Sequence, residues 1–205
     1  MSNYKACLFD LDGTLLDTEA QYTEFWGSVG RRLRPDLPDF NSLIKGTTLT
    51  QIFDLYIPRE YQEEITKQLD AWEAQMNYQL MAGAEQLIRT LVSEGLKTAL
   101  VTSSNQKKMQ QVWRQLPALP TLFDLVLTSE DFTRSKPFPD CYLKAAQMLD
   151  VQPSECVVFE DAFSGLQSAR SAGMYVVGLA STNSADAIRD HCDRVIHSLT
   201  EFVVK

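Results

Sequence analysis

Apolar positions along this chain follow two rhythms. Short apolar runs recur at 5–9 (KACLF), 96–101 (LKTALV), 123–127 (FDLVL), 155–160 (ECVVFE) and 174–179 (MYVVGL), with a briefer RVI at 194–196. Their length and their Val, Leu and Phe content predict buried strands. Between them, apolar residues fall three and four apart: Leu87, Ile88, Leu91 and Val92; Met109, Val112, Trp113 and Leu116; Tyr142, Leu143, Ala146 and Leu149; Leu166 and Ala169. That spacing lines one face of a helix. Gly95 and Gly173 stand where the residue after a helix belongs, and Pro139 suits a first helical turn. Strands alternating with helices predict an α/β fold, a Rossmann-like doubly wound parallel sheet covered on both faces.

Residues 17–80 break the alternation. Tyr22, Phe25, Trp26 and Val29 repeat at i, i+3, i+4 and i+7, as do Leu49, Ile52, Phe53 and Tyr56, and Ile65, Leu69, Trp72 and Met76 continue the helical period. No strand-like run interrupts them. The pattern therefore predicts an all-α domain at 17–80, inserted into an α/β core made of 1–16 and 81–205, with joints near Leu16 and Ala82–Gly83. The basic run RRLRP at 31–35 reads as a solvated helix end.

Composition narrows the function more than the fold. With 44% hydrophobic and 22% charged residues among 205, a folded globular protein is expected. A formal charge of −8 argues against a nucleic-acid footprint, which needs a clustered basic face. It leaves room for a small phosphate ligand, because a metal ion and a lysine reverse the potential locally. Cys7, Cys141, Cys156 and Cys192 are irregularly spaced with no C-x-x-C pair, as expected of buried free thiols in a reducing cytoplasm. The start MSNYKACLF lacks a signal-peptide core, and no apolar run approaches the ~18 residues of a membrane span. The expected partner is thus a small molecule, with neither nucleic acid nor membrane, and the chain a cytoplasmic monomer or weak oligomer.

In a doubly wound sheet, ligands bind beyond the C-terminal strand ends. The first predicted strand ends in Asp10 and Asp12, the second in Thr102, Ser103 and Ser104, and the fourth in Glu160 and Asp161; Lys136 follows the third. Crowded carboxylates repel unless a cation neutralises them, and an all-oxygen set beside a phosphate suits Mg²⁺. Hydroxyls and amides at the helix start after Ser104, with Lys136, provide the other half of a phosphate pocket. Together they describe phosphoryl transfer. One carboxylate of Asp-x-Asp serves as a covalent nucleophile; the other, two residues on and on the same side of the strand, serves as acid and base for the leaving alcohol and the attacking water. Gly13 allows the sharp turn that follows.

DLDGT (10–14), VTSS (101–104), SKPFPD (135–140) and FEDA (159–162) resemble the four ordered motifs of the haloacid dehalogenase superfamily of phosphohydrolases. The resemblance spans nearly the whole chain. It implies Asp10 as nucleophile, Asp12 as acid/base, Thr102 as a phosphate donor with Ser103 beside it, and Lys136 as the clamp on phosphate and nucleophile. It assigns Mg²⁺ to Asp10, Glu160, Asp161 and the backbone carbonyl of Asp12. The helical insert resembles the C1 cap of the β-phosphoglucomutase-like and phosphoglycolate-phosphatase-like branch, which closes over small phosphorylated metabolites.

The segment IKGTTLTQIF (44–53) resembles that branch's specificity loop, so Lys45, Gly46, Thr47 and Thr48 are candidate substrate contacts, with Glu19 and Tyr22 from the first helix. The mutase has an arginine where Leu49 stands and a histidine where Tyr22 stands. Loss of a second phosphate clamp favours hydrolysis of sugar or polyol phosphates over a phosphomutase reaction. Ala82 replaces the usual proline of the hinge.

Blander readings exist for each residue. Asp12–Gly13 also fits a turn, Thr102 and Ser103 a helix N-cap, Glu160–Asp161 a cap of the next helix, and Asp17 and Glu19 the start of the first inserted helix. His191 and His197 read as exposed or structural. Among other functions, a phospho-receiver signalling module shares the acid pair, hydroxyl, lysine and Mg²⁺, but its phosphorylated aspartate ends the third strand and it has no helical insert. A dinucleotide-binding oxidoreductase would need a G-x-G-x-x-G after a strand, which is absent.

Overall fold

The computed structural model describes residues 4–203. The expected core range extends into residues 1–3 and 204–205, which lie outside the described residues. In chain order the elements are β1 (Ala6–Phe9), α1 (Glu19–Leu33), α2 (Phe40–Ile44), α3 (Leu49–Tyr56), α4 (Arg59–Glu73), α5 (Ala84–Ser93), β2 (Lys97–Val101), α6 (Gln106–Gln115), β3 (Leu125–Leu127), α7 (Asp140–Met148), β4 (Cys156–Glu160), α8 (Phe163–Ser171), β5 (Tyr175–Leu179), α9 (Ala185–Ile188) and β6 (Arg194–Ile196).

All strand pairings are parallel, in the order β3-β2-β1-β4-β5-β6. Successive side chains of a strand face opposite ways, and the two faces bury different sets. Cys7, Phe9, Leu100, Val157, Phe159 and Val177 pack with Leu87, Ile88 and Leu91 of α5 and Met109 and Val112 of α6. Ala6, Leu8, Ala99, Val101, Val158 and Val176 pack with Tyr142, Ala145 and Ala146 of α7, Leu166 and Ala169 of α8, and Ile188 of α9. This is the doubly wound α/β architecture. The strand order reverses between β1 and β4, which places a crevice at their C-terminal ends.

The stretch 19–73 holds four helices with a core of their own, in which Phe25, Trp26, Val29, Phe40, Ile44, Ile52, Ile65 and Leu69 are buried together. The segments joining it to the sheet run side by side. Leu16 bridges Leu80, the Asp17 N–H donates to the Gln79 carbonyl (2.9 Å), and the Met81 N–H donates to that of Leu15 (2.8 Å). No helix among the described residues is long and apolar enough to cross a membrane.

Local departures from the periodicity have physical causes. Helix α4 stops at Glu73, so Met76 leaves the helical stripe and is buried with the sheet cluster, its carbonyl bonded by the Gln115 amide (2.8 Å). Helix α2 is a single turn, too short to show a period. Pro139 is the N-cap of α7 and so stands just outside its first turn.

Candidate active site

The site begins with β1. Its register with β4 sets Phe9 opposite Phe159, so Asp10 and Glu160 emerge level with each other, and the Asp10 N–H still donates to the Phe159 carbonyl (3.1 Å). Gly13 then turns the chain with φ +77°, and a Cβ there would lie 2.2 Å from Asp161 Oδ2. Only glycine lets the turn pass this close to the acid.

Asp10, Glu160 and Asp161 are all buried, and one carboxylate oxygen from each lies within 4.8 Å of the others. Lys136, wholly buried, reaches the cluster from the loop after β3. Its Nζ donates to Asp10 Oδ1 (2.5 Å), to Glu160 Oε1 (2.6 Å) and to the Val101 carbonyl (3.2 Å). The Tyr142 hydroxyl donates to Glu160 (2.5 Å) and that of Thr14 to Asp161 Oδ1 (2.8 Å). Three carboxylates thus face one ammonium, which leaves two negative charges uncompensated when all are ionised. Burial pushes the Asp10 carboxyl up to about 7 against the pull of Lys136, and burial with the neighbouring acids raises Asp161 well above the usual range. The opposite charges around Lys136 outweigh its own desolvation and hold its ammonium protonated.

These residues fit a hard divalent cation. The donors are all oxygens, the excess charge matches, and Asp161 Oδ2 is buried with no hydrogen-bond partner. The folded-state value of Asp10 lies above its ordinary 3.8, so proton uptake stabilises the metal-free fold below about pH 7, and that contribution is lost as pH rises from about 4 through 7. A bound cation replaces the proton. Added Mg²⁺ is therefore expected to raise the melting temperature more at about pH 8 than at about pH 5, and the reverse order would contradict a metal at this cluster.

Gly165, on the buried side of α8, lets that helix press against the cluster. A Cβ there would lie 2.0 Å from the Glu160 carboxylate. Gly165→Ala gains about 1 kcal/mol of helix propensity, yet it must displace Glu160. It is expected to weaken the Mg²⁺ response and lower turnover by roughly tenfold or more, as a Mg²⁺ titration of activity would show.

Asp12 belongs to a different environment. Its carboxylate lies apart from the acidic cluster, with Oδ1 accepting from the Thr18 hydroxyl (2.6 Å) and Oδ2 from the Ser104 hydroxyl (3.0 Å) and the Lys108 ammonium. Asp10 and Asp12 both line a cavity of about 720 Å³ between the strand ends and the helical layer. Thr102 and Ser103 line it too. Neither caps a helix: Asn105 caps α6, accepting from the Lys108 N–H (2.9 Å). Ser103 Oγ donates to the Gly46 carbonyl (2.9 Å) and Ser164 Oγ to that of Lys45 (2.8 Å), fastening the loop after α2 to the loop after β2 and to α8. Glu160 and Asp161 do not cap α8 either, whose N-cap is Ala162.

The remaining candidates also line the cavity. Glu19 and Lys45 form an ion pair (2.6 Å). Thr47 Oγ1 donates to the Ile44 carbonyl (2.6 Å), and Thr48 caps α3 by accepting from the Gln51 N–H (3.3 Å). Tyr22 donates to Glu73 (2.8 Å). The N-cap of α1 is Thr18, so Asp17 lies before it and Glu19 in its first turn. His191 and His197 are exposed and do not line the cavity.

Sequence reasoning missed Lys108 and Glu73, which are 3% and 6% exposed and both line the cavity. The signal was present. Asn105, Lys108, Met109 and Val112 share one helical stripe, as do Ile65, Leu69 and Glu73, so each charge sits where an apolar residue was due.

A family profile described as haloacid dehalogenase-like hydrolase matches residues 4–173. The chain is similar to a validoxylamine A 7'-phosphate phosphatase of Streptomyces hygroscopicus subsp. limoneus, at 31% identity over 97% of this chain and 95% of the relative. It is similar to hexitol phosphatase A of Escherichia coli (strain K12), at 31% identity over 98% and 94%. Among solved structures it resembles a HAD hydrolase, family IA, variant 3, from Entamoeba histolytica HM-1:IMSS, with a TM-score of 0.80, 27% identity, and coverage of 98% of this chain and 96% of that one.

Proposed function

Since this chain belongs to the haloacid dehalogenase-like hydrolases, we propose that it is a Mg²⁺-dependent phosphatase of small phosphorylated metabolites, of the sugar or polyol phosphate type. The observation that carries this is the position of Asp10, which lines the cavity on one side and joins the buried Glu160, Asp161 and Lys136 cluster on the other. Two similar proteins, named as a hexitol phosphatase and a validoxylamine A 7'-phosphate phosphatase, support the substrate class.

In this reading an Asp10 oxygen attacks phosphorus and the ester oxygen departs with a proton from Asp12, leaving an aspartyl phosphate. Water then attacks that phosphorus, gives its proton to Asp12, and frees orthophosphate and Asp10. Thr102, Ser103 and the amides that follow hold the phosphate oxygens, and Lys136 clamps phosphate and nucleophile together, keeping Asp10 oriented. Asp10, Glu160, Asp161 and the Asp12 carbonyl would hold Mg²⁺, which supplies charge neutralisation at the phosphoryl group. Residues 17–80 act as a cap over the cavity, with Glu19, Tyr22, Lys45, Gly46, Thr47 and Thr48 on its substrate side. The enzyme is expected to work in the cytoplasm as a monomer or weak oligomer.

Leu49, at the first turn of α3, lines the cavity where a mutase would present an arginine, and this favours hydrolysis over phosphomutase chemistry. A panel of sugar, polyol and nucleoside monophosphates with Mg²⁺ tests the reading by phosphate release. Conversion of glucose 1-phosphate to glucose 6-phosphate in the presence of a bisphosphate activator, without net release, would replace it by the mutase.

A further inference from the structure

Two adjacent lysines open α6 and meet opposite fates. Lys107 stays in solvent and pairs with Asp70 at the surface. Lys108 turns inward, and its Nζ donates to Asp12 Oδ2 and to Ser104 Oγ (2.9 Å) while sitting 4.5 Å from the centroid of the Tyr22 ring. An ammonium has three protons; two reach oxygens and the third side meets a π face. The ring is itself fixed, because Tyr22 donates to the buried Glu73 of α4. Burial raises the Glu73 carboxyl while the Lys108 charge opposes the rise, so the two groups feel each other. Burying a lysine costs rotamer freedom besides its desolvation. A chain that needed only a helix surface would leave Lys108 in water, as it leaves Lys107.

We infer that Lys108 is a positioning residue for Asp12, bracing its carboxylate against the helical layer through Tyr22 so that it points to the substrate oxygen with which it exchanges a proton. This rests on the acid/base role of Asp12 proposed above. Thr18, Ser104 and Lys108 come from three different segments, and Lys108 alone of them links Asp12 to both α1 and α4. Phosphate binding at Thr102 does not involve it. Its loss should therefore slow the chemical steps and leave substrate affinity nearly intact.

The test uses the full chain, Mg²⁺ and p-nitrophenyl phosphate. Lys108→Met is expected to lower kcat by roughly 10²-fold with KM within about threefold, since a small misplacement of a reacting group costs that much. Lys108→Arg, which restores a cationic donor, should recover about tenfold of the loss. In an Asp12→Asn background, Lys108→Met should change the residual turnover by less than about threefold, because the group it positions is gone. An unchanged kcat, a loss expressed mainly in KM, or an equal loss in the Asp12→Asn background would overturn the inference and leave Lys108 as a packing residue. Should Lys108→Met fail to fold, Lys108→Gln carries the same comparison. A wild type without turnover overturns the functional reading and this inference with it; an active wild type beside an unimpaired Lys108→Met overturns this inference alone.

Discussion

Asp10→Asn is expected to lower phosphate release by on the order of 10⁴-fold or more, because an amide oxygen cannot form the aspartyl phosphate that divides the displacement into two steps. The same change should stabilise the metal-free fold. Asparagine keeps an oxygen for the Lys136 donor (2.5 Å in the wild type) and removes one of three buried carboxylates lying within 4.8 Å of one another. Repulsion and desolvation, the causes that lift the Asp10 carboxyl to about 7, then act on one group fewer. Activity and stability should move in opposite directions, the usual trade at a strained site. Phosphate release and thermal melting in EDTA, measured on the same preparation, give both quantities. Retained turnover would exclude Asp10 as nucleophile, and a lower melting temperature would mean that its charge is satisfied without a metal.

The division between what the sequence reveals and what it hides follows from the range of the interactions. β1 and β4 are buried on both faces, so their near-continuous apolar runs mark them directly, and the polar residues that end them stand out by contrast. Asp10, Glu160 and Asp161 were legible for that reason. The order of the strands was not, since parallel register depends on pairings between distant segments such as Ala6 with Cys156. The helices at 22–29 and 65–72 were legible from their period, whereas α2 is too short to have one. The side-chain partners of Asp12 come from positions 18, 104 and 108, and no local rule links them to position 12. A charged residue on an apolar stripe is the one local trace such a network leaves. Thr102 and Thr48 show the opposite case: hydroxyls that suit caps equally well, with only Thr48 used as one.

Lys136 is the sole cation in contact with the acidic cluster among the described residues, so Lys136→Met should damage fold and function together. The methionine fills most of the same volume, and steric loss is small. What remains is electrostatic. Asp10 and Glu160 lose donors at 2.5 and 2.6 Å, the Val101 carbonyl loses one at 3.2 Å, and of the three only Asp10, which lines the cavity, can turn to water instead. Removing one partner of a buried ion pair typically costs about 3–5 kcal/mol, and urea denaturation in EDTA should show a loss of that order. Mg²⁺ should recover part of it, because the cation takes over the neutralisation that the ammonium provided. Turnover should fall by roughly 10³-fold even at saturating Mg²⁺, since charge stabilisation at the reacting phosphoryl oxygens is worth about that much. In an Asp10→Asn background the stability loss should shrink, because one of the two carboxylates stranded by Lys136→Met is already neutral. Equal losses in both backgrounds would show that Lys136 holds the loop after β3 by packing alone, and would remove the electrostatic basis for its proposed role.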